Sequence, residues 1–173
     1  MTGRSSAYPD RLVESFLHMS VGGFTERVAA RTPAPGGGAV AAVTAASAAA
    51  LVAMAARFSD EPAGPAEELR ARLEPLADAD AAAYTAVLTA YRLPAADPTR
   101  RERIADALRA ATEVPREIAV ASREVAALAD RLAASGNRNL VGDARVAALL
   151  ARAAAEAATA LVEINEAARQ RAR

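Results

Sequence analysis

Two acidic residues stand two positions apart in a run of small side chains. Asp78 and Asp80 lie between Leu76 and Tyr84, a stretch that is mostly alanine. On a helix the two positions are about 200° apart, so we expect one carboxylate to point inward and the other to solvent. Burial raises the pKa of a carboxyl group toward the range useful for proton transfer at neutral pH. The pattern predicts general acid–base chemistry; the alternative is two solvated helix charges.

A proline- and glycine-rich loop precedes a long apolar segment. Residues 32–38 read Thr-Pro-Ala-Pro-Gly-Gly-Gly. The prolines prevent helix continuation, and the glycines let the backbone approach another group closely. Free N–H groups at the start of the following helix could hold an anion. The loop lacks the G-x-x-x-x-G-K-[ST] pattern, which excludes a nucleoside triphosphate site. The alternative is close helix packing without a ligand.

The composition excludes several other kinds of site. The 173 residues include 21 acidic and 21 basic side chains, all of the latter Arg, and this balance argues against a nucleic-acid surface. The chain has no Cys, so disulfide and thiolate chemistry are excluded. A single histidine, His18, cannot build a multi-histidine metal site, and we expect it at the surface.

The periodicity predicts an all-α bundle of about five mostly antiparallel helices, because no segment alternates as a strand does. The predicted helices span 20–31, 37–58, 66–91 with a kink or break at Pro75, about 99–134 with an interruption near Pro115, and 143–169, with Gly136 as a C-cap. We interpret the apolar run 39–56 as a core helix rather than a membrane span. Tyr84 and Phe58 are predicted to lie in the core.

The elements form one helical domain over residues 20–173, preceded by an N-terminal extension, 1–19. The start of the chain has no signal-peptide pattern, so we predict a cytoplasmic protein without a membrane partner. A core built largely of alanine is thin for a single chain, so we also predict that subunits pair as a homodimer.

Six segments, in order, resemble those of a known family. They are FTERVAARTPAPGGGAVAAVTAASAAALVAMAARF at 24–58, DADAAAY at 78–84, YRLP at 91–94, AATEVP at 110–115, GNRN with Asp143 at 136–143, and Ile-Asn at 164–165. Over about residues 20–167 the chain resembles the formiminotetrahydrofolate cyclodeaminase and methenyltetrahydrofolate cyclohydrolase family.

The resemblance implies a helical homodimer with a folate cleft near the glycine loop. The implied reaction is release of ammonia from 5-formiminotetrahydrofolate, or hydrolysis of 5,10-methenyltetrahydrofolate to 10-formyltetrahydrofolate, with no metal and no cofactor beyond the folate substrate. No transferase domain is recognised in this sequence, which slightly favours the cyclohydrolase reaction over the cyclodeaminase reaction. The resemblance favours Asp80 as the catalytic carboxylate and Asp143 as a second polar group, the latter also explicable as a helix N-cap. The implied substrate-binding residues are Thr32, Pro35, Gly36, Gly37, Gly38, Arg57, Arg92, Asn137 and Asn139.

Departures from the family pattern leave two alternatives open. The link between the second and third helices lacks the family's lysine-containing segment, and Gly142 precedes Asp143 where the family has serine. One alternative is a non-catalytic folate-binding relative, and the other is an alanine-rich helical interaction module. Asn165 lies in an apolar helix segment and is predicted to have a structural role, bonded across a dimer or to a loop.

Overall fold

The computed structural model describes residues 15–172, and every regular element in this range is helical. The α-helices are α1 Val21–Ala29, α2 Gly37–Arg57, α3 Gly64–Leu73, α4 Leu76–Tyr91, α5 Arg100–Ser135 and α6 Val141–Ala172, with 3₁₀ turns at Phe16–His18 and Arg138–Leu140. The predicted all-α fold is confirmed. The described part holds one α-helix more than the predicted five, because Pro75 divides the predicted third helix into α3 and α4.

Helix α2 is the central element of the bundle. It packs against α3, α4, α5 and α6, and Ala39, Ala42, Ala45 and Ala49 are fully buried. Alanine places little bulk between helices, so the neighbouring backbones approach closely. Among the helices described, α2 is long and apolar enough to cross a membrane, but 61% of that apolar segment is buried inside the bundle. It serves as a core helix, as predicted.

Helix α6 runs antiparallel to α2 and extends past its beginning. The turn before α6 is bonded to the end of α2, since the Asn137 side-chain amide donates to the Phe58 carbonyl at 2.8 Å. At 1.5 Å per residue, α2 is about 31 Å long and α6 about 48 Å. The overhanging end of α6 packs with α4 and the first half of α5 around a second core cluster that includes Val87, Ile104 and Leu108.

Helix α5 continues through Pro115, so the predicted interruption there is wrong. Proline has no N–H to donate to the carbonyl four residues earlier, which is that of Ala111. Instead, the side-chain amide of Asn165 on α6 donates to the Ala111 carbonyl at 3.2 Å. The structural role predicted for Asn165 is thus found, although its partner is neither a loop nor a second subunit.

The last helix begins two residues earlier than predicted, at Val141. Asp143 therefore lies in the first turn of α6 and is not its N-cap. Gly136 is the C-cap of α5, as predicted, but its φ of −80° is open to any residue. Glycine is required there by close contact, because a Cβ would lie 2.6 Å from the Leu132 carbonyl oxygen and 2.9 Å from Ser59 Oγ.

Candidate active site

The carboxylate of Asp80 packs directly on the first turn of α2. Its contact is Gly38, where a Cβ would lie 2.7 Å from Oδ2 and closer still to Oδ1 and Cγ. Ordinary van der Waals contact for such an atom begins at 3.4 Å, so only glycine leaves room for the carboxylate in this position. The third glycine of the loop and the candidate catalytic residue therefore form one unit, although 42 positions separate them in the sequence.

The surroundings of Asp80 favour proton exchange. Burial raises the pKa of its carboxyl group above the ordinary value, and the nearby Ala39 backbone N–H lowers the pKa to a smaller extent. Among the described residues, the Ala39 N–H is the donor that faces this carboxylate. A half-buried carboxylate at a helix N-terminus can accept a proton or face a cationic group.

The glycine loop supplies the wall behind Asp80. Gly36 is the N-cap of α2 and offers no side-chain cap, and the Ala39 N–H in the first turn of the helix faces the Asp80 carboxylate. Pro35 is buried and follows a cis peptide bond, while Gly37 is exposed. Thr32, predicted to contact the ligand, donates its hydroxyl to the Ala34 carbonyl at 3.1 Å and so braces the loop.

Asp78 is not a solvated charge. Its Oδ1 accepts a hydrogen bond from the Phe16 backbone N–H at 3.0 Å, which ties the 3₁₀ turn before α1 to α4. The prediction that one of the two aspartates points to solvent is therefore wrong, as is the alternative that both do. Asp78 holds a neighbouring segment in place, and Asp80 is the carboxylate of the pair that lies at the glycine loop.

A second group of predicted site residues lies at the opposite end of α2. Arg57 is about 30 Å from Gly37 along the helix and pairs with Glu67 at 2.6 Å. Asn137 donates to the Phe58 carbonyl and accepts from the Asn139 backbone N–H at 2.9 Å. These residues join the end of α2 to α3 and to the turn before α6. Within one chain they do not reach the Asp80 carboxylate.

The remaining two predicted residues are also remote from Asp80 in one chain. Asp143 lies in the first turn of α6, beside the second group. Arg92 is the C-cap of α4 and is exposed, about 18 Å from Asp80 along that helix. The predicted residues that the fold brings together are thus Asp80 and the glycine loop, residues 32–38.

Tyr84 is a site neighbour that the sequence reasoning placed elsewhere. It stands one helical turn after Asp80 and on the same stripe of α4, and 46% of its surface is exposed. Its predicted place in the core is therefore wrong, and so is that of Phe58, which is 63% exposed. The spacing of four residues from Asp80 was the available signal for Tyr84. An exposed aromatic ring beside a proton-exchanging carboxylate suits a flat, aromatic ligand.

Comparisons with known proteins identify the family of this chain. The model of the formiminotransferase-cyclodeaminase family matches residues 20–170. The methenyltetrahydrofolate cyclohydrolase of Methylorubrum extorquens is 34% identical over 159 residues, covering 82% of this chain and 76% of that protein. The formimidoyltransferase-cyclodeaminase of Mus musculus is also 34% identical, but this chain spans only 28% of its length.

A solved structure shows the same fold. The formiminotetrahydrofolate cyclodeaminase of Thermotoga maritima superposes with a TM-score of 0.78 at 31% sequence identity, covering 86% of this chain and 79% of that one. Within the described residues, no group of three or more His, Asp or Glu side chains is placed to hold a metal ion.

Proposed function

This chain belongs to the formiminotransferase-cyclodeaminase family, and on that premise we propose that it hydrolyses 5,10-methenyltetrahydrofolate to 10-formyltetrahydrofolate. The observation that carries the proposal is the Asp80 carboxylate, half-buried against Gly38 with its pKa raised by burial. Two relatives, the methenyltetrahydrofolate cyclohydrolase of Methylorubrum extorquens and the formiminotetrahydrofolate cyclodeaminase of Thermotoga maritima, are named for one-carbon tetrahydrofolates. We place the enzyme in the cytoplasm, with no cofactor beyond its folate substrate.

The chemistry needs one group that both attracts a cation and moves a proton. The methenyl carbon is bonded to N5 and N10 and carries delocalised positive charge, which a carboxylate stabilises. In the proposed mechanism Asp80 takes a proton from the water that attacks this carbon. It then delivers that proton to N5 as the carbon–N5 bond breaks, and the hydroxyl proton of the adduct is released to solvent, which leaves a neutral formyl group on N10. Acid–base assistance of this kind is typically worth about 10²–10⁴-fold in rate.

Cyclodeamination is the second candidate reaction, favoured by the name of the Thermotoga maritima structure. Here N10 of 5-formiminotetrahydrofolate attacks the carbon of the protonated formimino group, and the N10 proton is transferred to the formimino nitrogen, which departs as ammonia. The product is the same methenyl cation. Asp80 would remove the N10 proton and pass it to the leaving nitrogen. One carboxylate thus serves both reactions, and the substrate offered decides which is observed.

The test is the decay of methenyltetrahydrofolate absorbance with purified protein, wild type beside Asp80→Asn. We expect wild type to accelerate the decay and Asp80→Asn to lose at least about 100-fold of that acceleration. If neither protein accelerates it, the hydrolysis proposal is overturned and a formimino-substrate assay tests the deaminase. Folate binding without turnover in both assays would identify a non-catalytic binder. Absence of binding would leave the helical interaction module.

We further propose that two copies pair through an apolar face formed by α2 and α6. On α2 the exposed stripe includes Val40, Ala50 and Phe58, and on α6 it includes Leu149 and Ile164, which are 65% and 61% exposed. The two stripes belong to helices that pack along each other. Exposed apolar side chains grouped on neighbouring helices are typical of an interface.

A two-fold axis near the middle of this face would cross the α2 helices of the two copies in antiparallel directions. The start of each α2 would then lie near the end of its partner, which joins the two groups of predicted site residues. Asp80 and the glycine loop would come from one subunit, and Asn139 and Asp143 from the other. The pairing therefore accounts for the 30 Å separation of these groups along α2.

Light scattering after gel filtration tests this pairing. Leu149→Glu should convert a dimer to a monomer, because it places a charge on the proposed interface. Val120→Glu is the matched control, since Val120 is 45% exposed on the solvent side of α5. A monomeric wild type, or a dimer that survives Leu149→Glu, would overturn the proposed interface.

A further inference from the structure

A basic pocket lies at the end of α4 that is remote from Asp80. It has a volume of about 240 Å³ and is formed by the end of α4, the start of α5 and the overhanging end of α6. Three of its lining residues are Arg100, Arg101 and Arg171, and Tyr91 forms another part of the wall. None of the lining residues within 15–172 is acidic, so the pocket carries a concentrated positive charge.

The three arginines are held differently. Arg100 donates from Nε to the Leu93 carbonyl at 3.0 Å and from an Nη to the Tyr91 carbonyl at 3.1 Å, which fixes it as a cap on α4. Arg101 and Arg171 form no ion pair with any carboxylate in the described part of the chain. Their guanidinium groups are therefore available to an anion, and the start of α5 adds the positive end of a long helix dipole.

One stripe of α4 connects this pocket with Asp80. Tyr84 and Tyr91 follow Asp80 by 4 and 11 residues, which places all three within about 40° of one another around the helix. Both tyrosines are nearly half exposed, at 46% and 44%. From Asp80 to Tyr91 the stripe is about 16 Å long. It presents a carboxylate, an aromatic surface and then a basic pocket in that order.

We propose that this pocket binds the carboxylates of the substrate's glutamate tail, an inference that rests on the proposed folate function. A tetrahydrofolate has its cationic one-carbon centre at one end, an aromatic ring in the middle and carboxylates at the other end. That order matches Asp80, Tyr84 and the arginine pocket. Guanidinium groups bind carboxylates in bidentate geometry, so Arg101 and Arg171 are the tail-binding residues. In this proposal Arg57 and Arg92 do not bind the glutamate tail.

The test compares two substrates in wild type and in the double variant Arg101→Gln/Arg171→Gln. One substrate is 5,10-methenyltetrahydrofolate, and the other is the pteroate analogue that has the same one-carbon centre but no glutamate. Arg100 is left intact because it caps α4. The control is Arg109→Gln/Arg131→Gln, which removes the same charge from two exposed arginines outside the pocket.

We expect the double variant to raise KM for the glutamate-bearing substrate by roughly 10- to 100-fold, as loss of charge-assisted hydrogen bonds predicts. KM for the pteroate analogue and kcat for both should stay at the wild-type value. The control should resemble wild type. An active double variant that still discriminates between the substrates as wild type does would overturn the pocket assignment while leaving the proposed function intact.

A binding measurement keeps the two proposals separable. If wild type turns over neither substrate, calorimetric titration with p-aminobenzoyl-triglutamate tests the pocket directly. Binding by wild type that weakens at least about 10-fold in the double variant, and weakens also with added salt, supports the pocket. Equal binding by both proteins, or no binding by wild type, overturns it.

Discussion

Adding one methyl group at Gly38 should disable the enzyme without unfolding it. In Gly38→Ala the new Cβ would lie 2.7 Å from Oδ2 of Asp80 and nearer to its other carboxylate atoms, whereas ordinary contact begins at 3.4 Å. The difference means that the carboxylate must move by at least 0.7 Å (3.4 minus 2.7). The carboxylate can move because it lies at the end of a flexible side chain. The substitution should therefore displace the carboxylate and leave the fold intact.

The size of the effect follows from that displacement. A misplacement of about 1 Å at a reacting group can cost roughly 100-fold in rate, and general acid–base assistance limits the loss to about 10⁴-fold. Stability should not fall in parallel, because alanine is favoured over glycine inside a helix by up to about 1 kcal/mol. We therefore expect a folded Gly38→Ala with a kcat at least about 100-fold below wild type.

Gly37→Ala is the matched control, because a Cβ at Gly37 meets nothing within 4 Å. It should gain a similar helix preference and retain the wild-type kcat in the methenyltetrahydrofolate assay, because its added methyl group does not contact Asp80. In the double variant Gly38→Ala/Asp80→Asn, the two losses should not add, since both act on one carboxylate. A Gly38→Ala enzyme as active as Gly37→Ala, with an unfolding midpoint near wild type, would refute the role assigned to this contact.

Three further outcomes are expected. Because burial raises the pKa of Asp80 in the folded chain, the contribution of this group to the free energy of unfolding should be fully present below the ordinary carboxyl pKa and be lost as pH rises through the raised pKa. Asp80→Asn should abolish that loss, seen as a higher unfolding midpoint than wild type at neutral pH but not in acid. Asp78→Ala should lower the free energy of unfolding by about 1 kcal/mol, because the Phe16 backbone N–H loses its acceptor, and kcat should be retained. A larger fall in kcat than in Asp80→Asn would contradict the assignment of Asp80, and not Asp78, as the catalytic carboxylate. Asn137→Ala should lower that free energy by about 1 kcal/mol in denaturant titrations through loss of the exposed hydrogen bond to the Phe58 carbonyl, and an unchanged midpoint would show that water replaces the amide.

Local signals in the sequence were enough to predict the helices. Proline and glycine mark most of their ends, and apolar periodicity marks their buried faces. Helix α5 is the exception, because the group that compensates Pro115 is Asn165, 50 positions later in the chain. The sequence of α5 alone contains no signal that predicts this hydrogen bond from Asn165.

The candidate site was predictable in composition but not in arrangement. Asp80 and the glycine loop could be selected separately, yet their contact depends on how α4 crosses the start of α2. The exposed positions of Phe58 and Tyr84 were missed because aromatic residues are usually buried, and a surface kept for a partner or a ligand looks like a core position in the sequence. Residue type alone also placed Arg57 with the ligand, whereas the fold pairs it with Glu67.

The hydrogen bond between Asn165 and the Ala111 carbonyl couples substitutions at Pro115 to substitutions at Asn165. Ala111 is buried, so a chain that keeps Pro115 but loses Asn165 leaves the carbonyl of a buried residue without this hydrogen bond. In a chain with another residue at position 115, the backbone N–H of that residue can donate to the Ala111 carbonyl. Asn165 is then no longer needed as the donor. Among relatives, positions 115 and 165 should therefore change together. During folding, α5 becomes one fully bonded helix only after the far end of α6 has docked against it.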